Sequence, residues 1–326
     1  MLTTGPDTSQ TTPGAGQPAG ALYISDADVR ALLDVRSVLD VVEQTFRWAY
    51  QGRINWPEPR LFRLDLTEPA KAKYHVKGAS LPDLGVSGVR VVGYRIFPDG
   101  SGTSRDDNMR YVLLHDPVSG HPLAIVDEHT SYGIRSAASG VVGAKYLARP
   151  DSAVVGLVGA GKLMRAALVA LAALFPLQEV RVTSRTEASR HRFAEELADA
   201  APGVRIVAVD SPTAACKDAD IVMSATTSGQ HLMQASDFAP GVFVCGLGQQ
   251  EVAPDAFRTF EKVVVDDWEQ VLWNEARAWW SLCEQHPGFV DVLASTPGIP
   301  TSMARRSLEV AVHLHELGIS SADSLV

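Results

Sequence analysis

Cysteine is scarce in this chain. Cys216, Cys245 and Cys283 are the only three in 326 residues, widely spaced and without a paired metal-ligand spacing. That excludes a disulfide framework, gives no reason to expect a metal, and points to a reducing compartment, so the expected location is cytoplasmic. Positive charge is also in deficit, with 29 basic against 38 acidic residues and a net charge of -9 at pH 7. Such a balance argues against a nucleic-acid partner, although a few local arginines suffice for an anionic small molecule. Apolar runs are short; none reaches the length of a bilayer span, so no membrane partner is expected. The opening "MLTTGPDTSQTTPGAGQPAG" lacks the basic start and apolar middle of a secretion signal. Its Thr, Pro and Gly content reads as a disordered tail over residues 1–20. Repeats of solenoid length are missing too.

What is present divides the chain in two. A hydrophobic content of 46% with 21% charge fits a soluble protein with a sizeable core. From residue 21 to 148, "SDADVRALL" and "RSVLDVVEQTFRWAYQGR" repeat at helical spacing, and Ser25 is placed to cap the first. "RLFRLDL", "KYHVKG", "SGVRVVGYRIF", "RYVLLHDP" and "HPLAIVD" alternate as strands, with a turn from Asp116 to Gly120 between the last two. "TSYGIRSAASGVVGAKYLA" then reads as a helix rich in small residues. Helices followed by mostly antiparallel strands predict an α+β domain. From 149 to 295 strand and helix alternate: "AVVGLV", "KLMRAALVALAALF", "EVRVTS", "EASRHRFAEELADAA", "VRIVAV", "ADIVMSAT", "GVFVCGL" and "KVVVDD". That order predicts an α/β unit, a Rossmann doubly wound parallel sheet. Trp268, Trp273, Trp279 and Trp280 either shape a pocket or pack a helix on the sheet. A last helix near Met303 to Leu317, within 296–326, is expected to return to the first domain.

The second half opens on "VVGLVGAGKLMRAALVAL", residues 154–171. Gly159 permits a tight turn after the first strand, and Gly161 lets the backbone approach a pyrophosphate at the helix N-terminus. The third glycine of the dinucleotide fingerprint is missing, with Met164 in its place. That glycine chiefly serves helix–strand packing, so phosphate binding survives its loss. Also missing is the acidic residue at the end of the second strand that would bind the ribose hydroxyls of NAD. Thr183 is followed by Ser184, Arg185 and Thr186 instead, a cation with two hydroxyls suited to a 2′-phosphate. NADPH/NADP+ is therefore expected over NADH. The site is assigned to Gly159, Ala160, Gly161, Lys162, Leu163 and Met164, with Ser184, Arg185 and Thr186. The ends of later strands add Ala225, Thr226 and Thr227, and Gly246 and Leu247.

Arginines grip small carboxylates because the planar fork matches the ligand. Arg60, after "WPEP", and Arg135, near the start of a helix, are candidates, and Lys77 stands at a strand end. For Arg60 and Lys77 the alternative is a solvated charge; for Arg135 it is a salt bridge to Asp127 or Glu128.

"RLFRLDL", "LLHDPVSGHPLAIVD" and "IRSAASGVVGAKYLARPDSAVVGLVGAG" together resemble the ornithine cyclodeaminase/mu-crystallin family, most strongly from Tyr111 to Val265. The resemblance implies an α+β dimerisation and substrate domain, interrupted by the Rossmann domain and completed by the C-terminal helix. It also implies a homodimer with its active site between the domains. Carried over by position, Arg60 and Arg135 bind the substrate carboxylate, and Arg90 replaces the family's lysine on "SGVRVVG". Lys77 falls where a substrate-facing methionine is common. Cyclodeaminases place an aspartate after the fifth Rossmann strand, where this chain has Gln249 and Gln250 beside the substrate. A neutral glutamine cannot take a proton from a substrate ammonium. The expected activity is an NADP(H)-dependent oxidoreductase acting on C–N bonds, reducing an imine of a 2-oxo acid or oxidising an amino acid. Lys77 is the expected proton donor, since burial among arginines would favour its neutral form, with His75 and His129 as alternatives. A cyclodeaminase-type lyase, an amino-acid-joining synthase and an NADPH-dependent ligand-binding protein stand as the other readings.

Overall fold

Ser25 closes a capping box at the first helix. Its hydroxyl accepts from the Asp28 amide at 3.3 Å, and the Asp28 carboxylate accepts from the Ser25 amide at 3.0 Å. β1 (Leu22–Ile24) leads into this cap and α1 (Asp26–Leu32) follows it. Asp34 caps α2 (Val35–Tyr50) by accepting from Ser37 N at 2.9 Å. These elements belong to a computed structural model that describes residues 20–58, 62–65, 72–95, 109–248 and 250–264. The tail over 1–19, Arg60, Gln249, the four tryptophans from 268 to 280 and the C-terminal helix expected within 296–326 lie outside the described residues.

The alternating segments form β2 (Phe62–Asp65), β3 (Ala72–Leu81), β4 (Val86–Arg95), β5 (Arg110–His115) and β6 (Pro122–Asp127). With β1 they make one sheet of order β1-β6-β5-β4-β3-β2. Neighbours are antiparallel except β1 and β6, which are parallel. The β5–β6 turn is built as its sequence implies: Asp116 Oδ1 accepts from the amides of Val118 and Ser119 at 2.9 and 2.7 Å, and Gly120 takes a φ of 72°. Register sorts the side chains between two faces. Lys77, Arg90, Val112 and Val126 lie in one row, while Gly78, Val89, Leu113, Ile125 and Tyr23 form a row on the opposite face. The first face turns inward, with Val92 and Ala124 buried; on the second, Tyr23, Val89 and Ile125 are exposed.

The second half is a five-stranded parallel sheet of order β11-β10-β7-β8-β9. Its strands are β7 (Val154–Val158), β8 (Glu179–Thr183), β9 (Arg205–Ala208), β10 (Ile221–Ser224) and β11 (Phe243–Gly246). α3 (Ser131–Leu147), α4 (Lys162–Leu174) and α5 (Glu187–Glu196) cover the face bearing Leu157, Val182 and Met223. α6 (Pro212–Cys216) covers the face bearing Val158 and Val222. This is the doubly wound sheet expected, reversing strand order between β7 and β10.

Three details differ from expectation. α5 stops at Glu196 and does not continue to residue 201, which precedes Pro202 and so disfavours a helical backbone. Leu22–Ile24 forms a strand, β1, parallel to β6, where the local pattern marked none. The strand expected over 262–267 is not formed at 262–264, and its remainder lies outside the described residues.

α3 joins the halves. Small residues bring it close to the second sheet: a methyl group at Gly140 would stand 2.7 Å from Cys245 Sγ and 2.9 Å from Met223 Cε. On its other side Glu43 of α2 accepts from Lys145 and Tyr146 of α3, each at 2.5 Å, and from Arg47 at 2.9 Å. Burial opposes ionisation there, but these three donors outweigh it and bring the Glu43 carboxyl down to about 2. Among the described residues no helix is long and apolar enough to cross a membrane.

Candidate active site

The fingerprint sits where strand order reverses. Gly159 adopts a φ of 120°, and a methyl group there would meet the Ala225 carbonyl oxygen at 2.5 Å. Glycine is thus required twice at one position, by backbone angle and by the neighbouring strand end. Gly161, the N-cap of α4, has nothing within 4 Å of where its Cβ would stand. Its open side and the amides of the first α4 turn make a cradle that fits a pyrophosphate. Ala160 and Lys162 flank it. The Met164 side chain is fully buried in the core with α3, because the third helical position faces the sheet, so of this residue only the backbone belongs to the cradle. Leu163 packs partly against the same core.

The later strand ends converge on the same edge. Leu247 N donates to Ser224 O at 2.8 Å, continuing the ladder past Gly246. Thr226 is fixed by a residue that the sequence did not single out. The carboxylate of Glu251, 2% exposed, accepts from Thr226 N at 2.7 Å and Thr226 Oγ1 at 3.0 Å. At the tip of β8, Arg185 is exposed. Ser184 Oγ donates to Thr186 O at 2.9 Å, and Thr186 caps α5. Both hydroxyls expected to face a 2′-phosphate are therefore engaged within their own loop, leaving Arg185 as the projecting group.

The substrate side is built by the inward face of the first sheet and the start of α3. Glu128, between β6 and α3, is 2% exposed and accepts from two arginines. Arg90 Nε donates to its Oε2 at 2.5 Å, while Arg135 Nε and Nη2 donate to its Oε1 at 3.1 and 3.0 Å. The bridge from Arg135 to Glu128, one alternative in the sequence, is thus formed, and Arg90 shares it. Arg110, buried at the head of β5, places its guanidinium 4.3 Å from the centre of the Tyr132 ring. Arg135 and Arg90 lie 5.4 and 5.5 Å from the same ring. Desolvation and the like charge of Arg90 pull Arg135 below its ordinary pKa against the attraction of Glu128. It remains a cation at any pH the fold tolerates. Its side chain still keeps 45% exposure, so the fork is surrounded by protein mass yet reaches solvent.

Two contacts relate this cluster to the remaining candidates. Lys77 lies directly across from Arg90 in the β3–β4 register, on the same face, with His75 two residues before it. Gly133 of α3 packs against Lys162, a methyl group there standing 3.5 Å from Lys162 Cβ. The helix that carries Tyr132 and Arg135 therefore touches the first residue of the fingerprint helix. His129 is held by its neighbour: its backbone amide and Nδ1 both meet Asp127 Oδ1, at 3.0 and 2.5 Å. The Gln250 carbonyl accepts from His231 Nδ1 at 2.8 Å, which ties down the loop after β11. Glu128, Arg110, Tyr132 and Glu251 were not among the sequence candidates for the site. A charged residue at an inward position of an apolar alternation was the available signal for Arg110.

The chain is similar to proteins already known. The description "Ornithine cyclodeaminase/mu-crystallin family" matches residues 22–271. The chain is 27% identical to an alanine dehydrogenase of Archaeoglobus fulgidus over 254 residues, covering 76% of this chain and 74% of that protein. It is 33% identical to a Delta(1)-pyrroline-2-carboxylate reductase of Paracoccus denitrificans over 168 residues, 49% of this chain and 52% of that one. Among solved structures, an archaeal alanine dehydrogenase dimer with bound NAD superposes with a TM-score of 0.67 at 25% identity, covering 77% of this chain and 76% of the other. With more than two thirds of its length matched, the chain belongs to the ornithine cyclodeaminase/mu-crystallin family.

Proposed function

We propose that this protein is an NADP(H)-preferring oxidoreductase that acts on the C–N bond of a small carboxylate, reducing an imine of a 2-oxo acid or, in reverse, oxidising an amino acid. The observation that carries the reading is the arginine pair Arg90 and Arg135, joined through Glu128, with Arg135 on the helix that touches the fingerprint. A nicotinamide bound at that fingerprint supplies or receives a hydride. The chain's own residues do the rest. Arg90 and Arg135 fix the carboxylate and so orient the adjoining carbon, while Lys77 holds a proton for the nitrogen. The similarity to an alanine dehydrogenase and to a pyrroline-2-carboxylate reductase supports chemistry at this bond.

The test is direct. NADPH absorbance should fall when pyruvate and ammonia, or a cyclic ketimine carboxylate, are added to the enzyme. Proline and ammonia released from ornithine without net cofactor change would overturn the reading in favour of a lyase. Cofactor and ligand binding without turnover would leave a binding protein.

The exposed row of Tyr23, Ile125 and Val89, with Leu123 and Phe62 on the same face, supports a homodimer through the outer face of the first sheet. The relative with bound NAD is itself a dimer. Sedimentation velocity is expected to give a dimer that Ile125→Asp converts to monomer, since the charge would be buried in the joint. A wild-type monomer removes this assignment.

A further inference from the structure

The geometry points to Glu128 as a positioning residue for the substrate carboxylate: it holds Arg90 and Arg135 each by one edge and leaves their other edges for the ligand. The inference rests on the reading of the arginine pair as a carboxylate site. A guanidinium carries five donors in a rigid plane, so fixing the Nε edge fixes where the Nη groups point. Glu128 takes only Nε from Arg90, and Arg90 Nη2 is a buried donor that no acceptor among the described residues satisfies. From Arg135 it takes Nε and Nη2, which leaves Nη1 on a side chain that is 45% exposed. One buried anion thus orients two forks from behind.

The same contacts permit an opposite role, in which Glu128 occupies the carboxylate subsite and competes with substrate. Burial decides against it. A carboxylate that is 2% exposed has no path to solvent, so an arriving substrate cannot displace it by hydration. Without that anion, Arg90 and Arg135 share the ring of Tyr132 as two like charges, and repulsion would drive the forks apart. The two roles predict opposite signs. Loss of a positioning anion weakens substrate binding, and loss of a competing anion strengthens it.

Glu128→Gln keeps the volume but presents an amide donor to one of the two arginines. KM for pyruvate, measured with ammonia and NADPH, is expected to rise by ~10–100-fold, with kcat changed far less and the NADPH Kd unaltered. Glu128→Asp keeps the charge and should recover part of that loss. An unchanged or lowered pyruvate KM in Glu128→Gln overturns the inference. Should Glu128→Gln also lose NADPH binding, it has not folded around the pair. Glu128→Asp then carries the test: a pyruvate KM at or modestly above the wild-type value supports the inference, and a KM below it overturns it. Failure of the underlying functional reading shows itself separately, as a wild-type protein without turnover. Calorimetric titration of pyruvate into the NADP+ complexes then gives Kd in place of KM, and no binding by wild type overturns both.

Discussion

Lys77→Met is expected to lower imine reduction by the ~10²–10⁴-fold typical of losing a positioned general acid. Methionine matches the length of the lysine stem and removes only the group that holds a proton. Lys77 lies directly across from Arg90 in the β3–β4 register and on the same inward face. A carboxylate gripped at Arg90 would therefore place its neighbouring carbon and nitrogen beside Lys77. The loss should fall on kcat, because the proton is needed only as charge develops on nitrogen. KM for the 2-oxo acid should move little, and cofactor affinity should not move. An unimpaired Lys77→Met enzyme would pass the proton role to His75, on the same face two residues away, or to water. His129 is the weaker substitute, since Asp127 already holds its ring at 2.5 Å.

Arg185→Asp should invert the choice between the two nicotinamide dinucleotides. Thr183 ends β8, and neither Ser184, Arg185 nor Thr186 is the acid that binds ribose hydroxyls in NAD enzymes. Arg185 is exposed at this tip, while Arg190 in the next turn is already paired with Asp210 at 2.9 Å. Losing a charge-assisted contact costs about 1.5–3 kcal/mol, roughly tenfold or more in affinity. The aspartate adds repulsion against the 2′-phosphate and offers the acceptor that NADH wants. Fluorescence titration of NADPH and NADH into both proteins reads the result. A wild type that prefers NADH would show that Arg185 stands clear of the cofactor.

Where an element depends on local pattern, it was legible in the sequence. Capping of α1 by Ser25, the Asp116 turn and the strand-to-helix turn at Gly159 each follow from a few adjacent residues. β1 was missed because three residues carry no periodicity and its partner β6 lies about a hundred positions away. The candidate site was half legible for the same reason. Arg90, Arg135 and Lys77 stood out by residue type and family position. The convergence of Arg90, Arg110 and Arg135 on Glu128 and Tyr132 depends on how β4, β5 and α3 are registered. No local window contains that register. Glu251 reads as an ordinary polar loop residue until the fold brings Thr226 to it. Motif position puts Met164 at the fingerprint turn, and helical phase sends its side chain into the core, which the motif does not tell.

The close seat of α3 has a mechanical consequence. Gly140 lies against Cys245 and Met223, and Gly133 against Lys162, so the helix has no room to slide or roll on the second sheet. Arg135 and the fingerprint turn are thus carried on one closely packed unit, and their spacing is set where α3 seats on the second sheet. Arg90 and Lys77 stand instead on the strands of the first sheet. Changes on the inward face of that sheet would therefore reshape the surroundings of Arg135 and leave its distance from the turn as it is.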